Sequence, residues 1–300
     1  MNEPDFLAAL RKLPLHPAAR GLQDDAAHLG DLILTKDMIA EGVHYLATDP
    51  PADVAWKLVA VNLSDLAAKG AEPVGLMLGY TLSDNAFDRA FLTGFGEACA
   101  AYRCPILGGD TVRTAGPRTL SLTALGRAAV SPERGGARPG DMLWVTGTIG
   151  DAAAGLGIAR GEDGPDELLA AYRRPVALLD QGRTLASVVR AMMDVSDGLL
   201  IDATRMAAAS GCAVWIDLVR VPLSDAYRRH VGEDRADRIA AVTGGDDYQL
   251  LFALPPGTPP PVAATRIGAF EPGNGLKLFD GGQQVPLPEH SGYQHGIFLP

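Results

Sequence analysis

The sequence predicts an α/β protein made of two mixed lobes, and three observations carry that expectation. The chain has 300 residues, about the length at which a single core stops growing and two domains of roughly 150 residues become the rule. Alternating apolar stretches are interleaved with amphipathic ones in both halves. Structure breakers cluster over 135–140, between the halves, so the expected domains are 1–137 and 138–300.

In chain order, Phe6, Leu7 and Leu10 give a short amphipathic helix over 5–12, and a loop follows through Pro14, Pro17 and 21–25. A strand is expected over 31–37. A helix over 51–69 has proline at its start and Gly70 just past its end, the placement helix termini favour. Val74, Leu76, Leu78 and Tyr80 alternate in a strand over 73–82, and a helix is expected over 87–102. A short strand over 105–110 runs into a glycine turn, and 119–126 reads as another strand. In the second half, strands are expected over 142–146, 191–195 and 213–218. Helices are expected from Asp151, over 175–189 and over 199–209. Strands dominate after Tyr248, with Gly281-Gly282 as a hairpin turn. No internal repeat is detectable.

Charge narrows the function classes. The formal net charge is −10 and the basic residues are scattered, so the basic footprint of a nucleic-acid or anionic-membrane binder is missing. A bare polyphosphate would be repelled by such a chain, so phosphate chemistry would require divalent cations. Cys99, Cys104 and Cys212 are odd in number and lack C-x-x-C spacing, which fits a reducing compartment better than a disulfide framework. With an acidic N-terminal start and no apolar run near the ~18–20 residues of a membrane span, the expected location is the cytoplasm.

The aspartates carry the chemical signal. Asp24-Asp25, Asp37, Asp65, Asp110, Asp194 with Asp197, and Asp246-Asp247 fall at expected strand ends, in glycine turns or on an apolar helix, unlike carboxylates on a solvated face. Hard oxygen donors drawn from several elements are what Mg²⁺ between phosphates requires. Taken singly, each also fits a turn or cap residue. Asp65 shares a helix face with Asn62 between Leu58, Val61 and Ala68, and a carboxylate in such company needs a partner: a cap, an arginine or a metal. Alternation puts Thr35 and Asp37 on one strand face and Lys36 on the other. In Asp194-Val-Ser-Asp-Gly198, Asp194 and Ser196 lie on one side, just before a helix start whose N–H groups can meet an anion or be capped by Ser196 or Asp197.

Other signatures are absent. No G-x-x-x-x-G-K-[ST], H-E-x-x-H or G-x-S-x-G occurs, and Gly147, Gly150, Gly155 and Gly157 lack dinucleotide-fold spacing. His16, His28, His230, His290 and His295 sit in polar or terminal contexts. His44 follows Asp37 by seven residues, on a loop that can carry it to a substrate.

Taken in order, Gly21-Leu-Gln-Asp-Asp25, Thr35-Lys-Asp37 with Gly42-Val-His44, and Ala60-Val-Asn-Leu-Ser-Asp-Leu-Ala-Ala-Lys-Gly-Ala-Glu-Pro73 resemble the pattern of thiamine-monophosphate kinases. So do Gly108-Gly-Asp110-Thr, Asp194-Val-Ser-Asp-Gly-Leu199, Gly244-Gly-Asp-Asp-Tyr248 and Gly292-Tyr-Gln-His295. The resemblance spans almost the whole chain. It implies the two-domain fold of aminoimidazole ribonucleotide synthetase, with an N-terminal sheet that joins its twin in a homodimer and a C-terminal α/β domain that closes over the site. The implied reaction converts ATP and thiamine monophosphate to ADP and thiamine diphosphate with several Mg²⁺ ions, by direct in-line transfer. The metal positions carried over are Asp25, Thr35, Lys36, Asp37, Asp65, Asp110, Asp194 and Asp197, with Asp37, Asp65 and Asp197 also catalytic. Gly109, Asp110, Arg134 and Ser196 fall at ATP positions; His44, Asp246 and Tyr293 fall at positions contacting the thiamine substrate. Where many relatives have Ser-Thr-Asp, Lys36 can offer only its backbone oxygen; where many have Gly-Gly-Glu-Asp, Asp246 is one methylene shorter.

Two other readings differ in what they require. A selenophosphate synthetase is expected to have a reactive cysteine in its N-terminal segment, and none precedes Cys99; aminoimidazole ribonucleotide synthetase itself is the nearer alternative. A non-catalytic nucleotide sensor is expected to have lost some metal carboxylates.

Overall fold

In the computed structural model, which describes residues 3–294, the first half contains α1 (Glu3–Leu10), β1 (Ala27–Leu29), β2 (Leu32–Ala40), α2 (Pro51–Ala68), β3 (Glu72–Thr81), α3 (Asn85–Ala101), β4 (Ile106–Val112) and β5 (Thr119–Arg127). The strands form one sheet in the order β1-β2-β5-β3-β4. All pairs are antiparallel except β3–β4, which the intervening α3 makes parallel. On β5, Leu120, Leu122 and Ala124 are buried and alternate with outward residues, so one face is apolar. That face packs against α2 and α3, with Tyr80 and Phe91 rings 4.8 Å apart at the centre.

α2 starts on Pro51, whose missing N–H is not needed in a first turn, and ends before Gly70 at φ +61°. A helix lying on one sheet buries a stripe, yet 13 of the 18 residues of α2 are buried, because the second half covers its other side. That half contains β6 (Met142–Val145), α4 (Asp151–Ala159), α5 (Asp166–Arg173), α6 (Leu179–Ala186), β7 (Ala191–Asp194), α7 (Leu199–Ser210) and β8 (Ala213–Asp217). It continues with α8 (Asp225–His230), α9 (Arg235–Gly244), β9 (Leu250–Leu254), β10 (Thr265–Glu271), β11 (Leu276–Asp280) and β12 (Gln283–Val285). Its sheet runs β12-β11-β8-β10-β6-β9-β7. The edge strand β7 and helix α6 press on α2, so α2 lies between the two sheets and touches both. Gly281 and Gly282, both at positive φ, turn β11 into β12 as expected. Among the described residues, no helix is long and apolar enough to cross a membrane.

The structure departs from the sequence reading in several places. β2 runs three residues beyond Asp37 because β5 supplies partners as far as Ala40↔Thr119. β4 continues through its glycines to Val112, paired with Thr81, so Asp110 lies in a strand rather than a turn. The helix expected over 175–189 begins only at Leu179. Trp56 Nε1 donates to the Pro175 carbonyl at 2.9 Å, and the Ala177 N–H donates to Tyr102 Oη at 3.0 Å; both hold the preceding segment out of a helix. No helix was expected where α5, α8 and α9 stand, although α9 opens on a reciprocal capping box between Asp234 and Asp237.

Candidate active site

Two strands, β2 and β7, meet beside α2 and bring carboxylates from both halves together. Inward alternation on β2 points Thr35 and Asp37 at the helix, and Thr35 Oγ1 donates to Asp65 Oδ2. Asn62 Oδ1 accepts the Asp37 N–H at 2.9 Å, while its Nδ2 donates to Leu58 O. One residue before Asp65, Ser64 Oγ donates to Asp194 Oδ2 at 2.5 Å, joining α2 to the end of β7. Asp65 is thus held by a hydroxyl, not by a cap or an arginine. Lys36 faces outward and donates to Ser121 Oγ at 3.2 Å, leaving only its backbone on this side.

After β7 the chain turns at Gly198 into α7, and the N–H groups just before the helix are already occupied. Asp202, fully buried, accepts from the N–H groups of Ser196 and Asp197 at 3.1 Å each. Arg205 donates to both Asp202 and Asp197. The carboxylate of Asp202 thus ties down the chain just ahead of α7, the Ile201 N–H of the first turn donates to Ser291 O at 3.1 Å, and neither Ser196 nor Asp197 caps α7, whose N-cap is Gly198.

Asp25 and Arg134 form a second group. Lys69, at the end of α2 and fully buried, places Nζ 2.5 Å from Asp24 Oδ1 and 2.7 Å from Asp25 Oδ2. Arg134 holds the other Asp25 oxygen through Nε and Nη2.

The expected substrate contacts converge at the mouth of the acidic group. The His44 and Tyr293 rings stand edge to face with centroids 6.5 Å apart. The Tyr293 N–H donates to Asp197 O at 2.8 Å, and His44 Nδ1 accepts the Ala40 N–H at 3.1 Å. Asp246 enters from a tight turn in which Gly245, Asp246 and Tyr248 all have positive φ. The N–H groups of Asp246 and Tyr248 are tied to the Ser196 and Val195 carbonyls. Lys57 Nζ on α2 donates to Asp246 Oδ2 at 2.7 Å, and Tyr248 Oη donates to Asp246 Oδ1 at 2.9 Å. Lys57 also lies 4.1 Å over the Tyr172 ring. A cavity of about 130 Å³ adjoins this turn, walled by Thr148, Asp151, Arg174, Asp246, Asp247 and Gln249. Gly109 and Asp110 are not brought here. They lie on the exposed edge strand β4, where Asp110 aligns across β3 and β5 with Met38, about 14 Å away at three strand spacings. His295 lies outside the described residues.

Burial and mutual repulsion dominate the electrostatics. Burial, then the Asp197 and Asp25 carboxylates, push Asp37 up to about 6. Burial, with Asp37, Asp194 and Asp25 behind it, carries Asp65 well above the carboxylate range. Burial and Asp25 raise Asp194 to about 8. Asp25 moves the other way: burial opposes ionisation, but Lys69 and Arg134 outweigh it and hold the carboxyl at about 2.

A group of hard oxygen donors whose charges repel one another fits Mg²⁺ in chemistry, since a divalent cation removes the repulsion that raises these pKa values. Among the described residues, however, no three histidine, cysteine or acidic side chains stand together as a finished ligand set. The arrangement is a cradle that substrate phosphates would have to complete.

The sequence reading missed Lys57, Lys69, Asp202 and Arg205. The signal was present: each is a charge set in an otherwise apolar helical stretch, the same argument that singled out Asp65.

Comparison with known proteins extends the picture. Residues 23–128 match the AIR synthase related protein N-terminal domain, and residues 138–277 match the AIR synthase related protein C-terminal domain. The chain is 41% identical to the thiamine-monophosphate kinase of Caulobacter vibrioides, over 98% of this chain and 91% of that one. It is 40% identical to the thiamine-monophosphate kinase of Escherichia coli K12, over 78% of this chain and 76% of that one. Its fold is similar to a solved structure described as AaThiL complexed with AMPPCP and TMP, with TM-score 0.87, 32% identity, and coverage of 98% and 97% of the two chains.

Proposed function

The chain belongs to the thiamine-monophosphate kinase family of AIR synthase related proteins and is a phosphotransferase, and from that premise we propose that it transfers the γ-phosphoryl group of ATP to thiamine monophosphate, releasing ADP and thiamine diphosphate. The observation that carries this reading is the meeting of Asp37, Asp65 and Asp194, from β2, α2 and β7, in a partly buried group that repels itself. Donor and acceptor are both polyanions, so catalysis is mainly positioning and charge neutralisation. An acid-rich cradle that recruits cations takes the place of the phosphate-binding lysine loop this chain lacks.

Magnesium, when bound, supplies neutralisation between the two phosphate groups and polarises the one in transfer. Asp37, Asp65, Asp194 and Asp197, with the Thr35 hydroxyl and the Lys36 backbone oxygen, would hold it. Asp110 of the expected ligand set stands apart from this group, and Asp25, close enough to raise Asp37, Asp65 and Asp194, is instead ion-paired to Lys69 and Arg134. Asp202 and Arg205 keep the Ser196–Asp197 backbone in place beside the nucleotide phosphates. The acceptor oxygen is already anionic near neutral pH, so direct in-line transfer needs no strong general base, and none of these residues has to accept a proton.

His44, Tyr293 and Asp246 receive the thiamine moiety, and the acid-walled cavity beside Asp246 suits a cationic ring. In this reading residues 1–137 bind nucleotide and metal and form the dimer, residues 138–300 close over them, and the enzyme works in the cytoplasm with its three cysteines free. The homodimer is supported by exposed apolar residues along the β3–β4 side of the first sheet, Met77, Ile106, Leu107 and Val112 among them.

³¹P NMR of the protein with ATP, Mg²⁺ and thiamine monophosphate tests the reaction. Signals of thiamine diphosphate and ADP should grow only when the acceptor is present, and Asp65→Asn should abolish them. Binding of Mg-ATP with thiamine monophosphate left unchanged would overturn the assignment and turn attention to the amidine-type acceptors of aminoimidazole ribonucleotide synthetase.

A further inference from the structure

We propose that the Lys69 ammonium is a built-in cation that occupies the position a divalent ion would otherwise take at the Asp24–Asp25 pair, so that Asp25 serves to anchor fixed cations and is not a metal ligand in this chain. The inference deepens the metal reading above and rests on it.

The observation is a buried ammonium with two hydrogen bonds and a further ion pair. Lys69 follows α2, and its side chain runs through the interior with no solvent exposure. Its Nζ has three protons and meets three oxygens: Asp24 Oδ1 at 2.5 Å, Asp25 Oδ2 at 2.7 Å and the Met192 carbonyl on β7 at 3.2 Å. The remaining carboxylate oxygens are also taken. Asp24 Oδ2 accepts from Arg20 Nη1 at 2.8 Å, and Asp25 Oδ1 accepts from Arg134. Each of the four oxygens of the pair therefore already faces a side-chain cation of the chain itself.

A metal ion at Asp25 would have to sit within a few ångströms of Lys69 and Arg134, where like charges in a buried setting repel strongly. It would also strip the ammonium of a counter-ion it cannot replace from water, and an unpaired buried charge is among the costliest defects a fold can carry. Asp37, Asp65 and Asp194 present the opposite situation: among the described residues Asp65 and Asp194 take hydroxyl donors, and no lysine or arginine is hydrogen-bonded to any of the three carboxylates. The chain thus separates its acids into one set neutralised from within and one set left to recruit ions. Because Lys69 also reaches Met192, the fixed cation bonds the first half to the β7 strand.

Mn²⁺ binding gives a readout independent of turnover. Bound Mn²⁺ per chain is counted by electron paramagnetic resonance of the free ion, with a non-hydrolysable ATP analogue, in wild type, Asp25→Asn and Lys69→Met. Asp25→Asn should bind as many ions as wild type. Lys69→Met should bind one more, because the vacated position leaves the Asp24, Asp25 and Met192 oxygens facing one another, and adding Asp25→Asn to it should remove that ion again. Loss of one ion in Asp25→Asn, or an unchanged count in a folded Lys69→Met, would overturn the inference. If Lys69→Met does not fold, the Asp25→Asn count decides alone. Wild type that takes up no Mn²⁺ would instead overturn the metal reading on which the inference rests.

Discussion

Lys57 shows how a single side chain links the two halves at the substrate end. It is 2% exposed on α2, yet its ammonium reaches a carboxylate 189 residues away in sequence, fixing one oxygen of Asp246 while Tyr248 fixes the other. Because Asp246 is placed by a turn of positive-φ residues, its backbone has little freedom left, and Lys57 sets the final direction of the carboxylate. Lys57→Met should therefore raise KM for thiamine monophosphate by about tenfold or more while changing kcat much less, from the ~1.5–3 kcal/mol of a hydrogen bond to a charged group. Steady-state kinetics with each substrate varied in turn measure this; an equal fall in kcat with KM unchanged would deny Lys57 a positioning role. Residues of this kind were only half legible beforehand. Strand alternation correctly put Thr35 and Asp37 together and Lys36 outside, because a period of two allows no other arrangement. The partners of Lys57 and Lys69 were not legible, since the first pairs across 189 residues between the halves and the second across 45 residues through the packing of the first half.

At the scale of elements, α2 does most to build the site, because its faces meet both sheets. Its position depends on close packing with α3. At Gly94 an added Cβ would lie 2.1 Å from the Ala52 carbonyl oxygen on the neighbouring backbone, so a side chain of any size forces the helices apart. Gly94→Ala should destabilise the protein by about 1–3 kcal/mol, the usual cost of overpacking, and lower the urea midpoint without changing the slope. An unchanged midpoint would mean that the α2–α3 contact is looser than its geometry indicates. The ends of α2 were readable from Pro51 and Gly70, which act locally. The ends of β2 and β4 were not, because those strands continue for as long as β5 and β3 offer partners. Similarly, the segment before α6 stays extended because Trp56 and Tyr102 hold it, although its composition is compatible with a helix. Local signals fixed the elements that end themselves; tertiary partners fixed the others.

For the whole molecule, the position that bears on assembly is that of Asp110. Within one chain it sits on the outer strand of the first sheet, three strand spacings from β2, and its side chain accepts the next N–H, that of Thr111. An edge strand whose exposed residues include Ile106, Leu107 and Val112 is an association surface unless something covers it. If a second copy pairs along this side, Asp110 and Gly109 of one chain are carried toward the acidic cradle of the other, and each site in the homodimer draws on both chains. Mixing two inactive variants separates this arrangement from a self-sufficient chain. Asp65→Asn and Asp110→Asn should each be inactive alone. After co-refolding, about a quarter of wild-type activity should return, because half the dimers are mixed and each mixed dimer keeps one intact site. Light scattering should give twice the chain mass for wild type, and Leu107→Glu should reduce both mass and activity. If the mixture stays inactive while the mass remains that of a dimer, Asp110 acts within its own chain, and the first sheet would then have to bend or the edge strand detach to bring it to the phosphates.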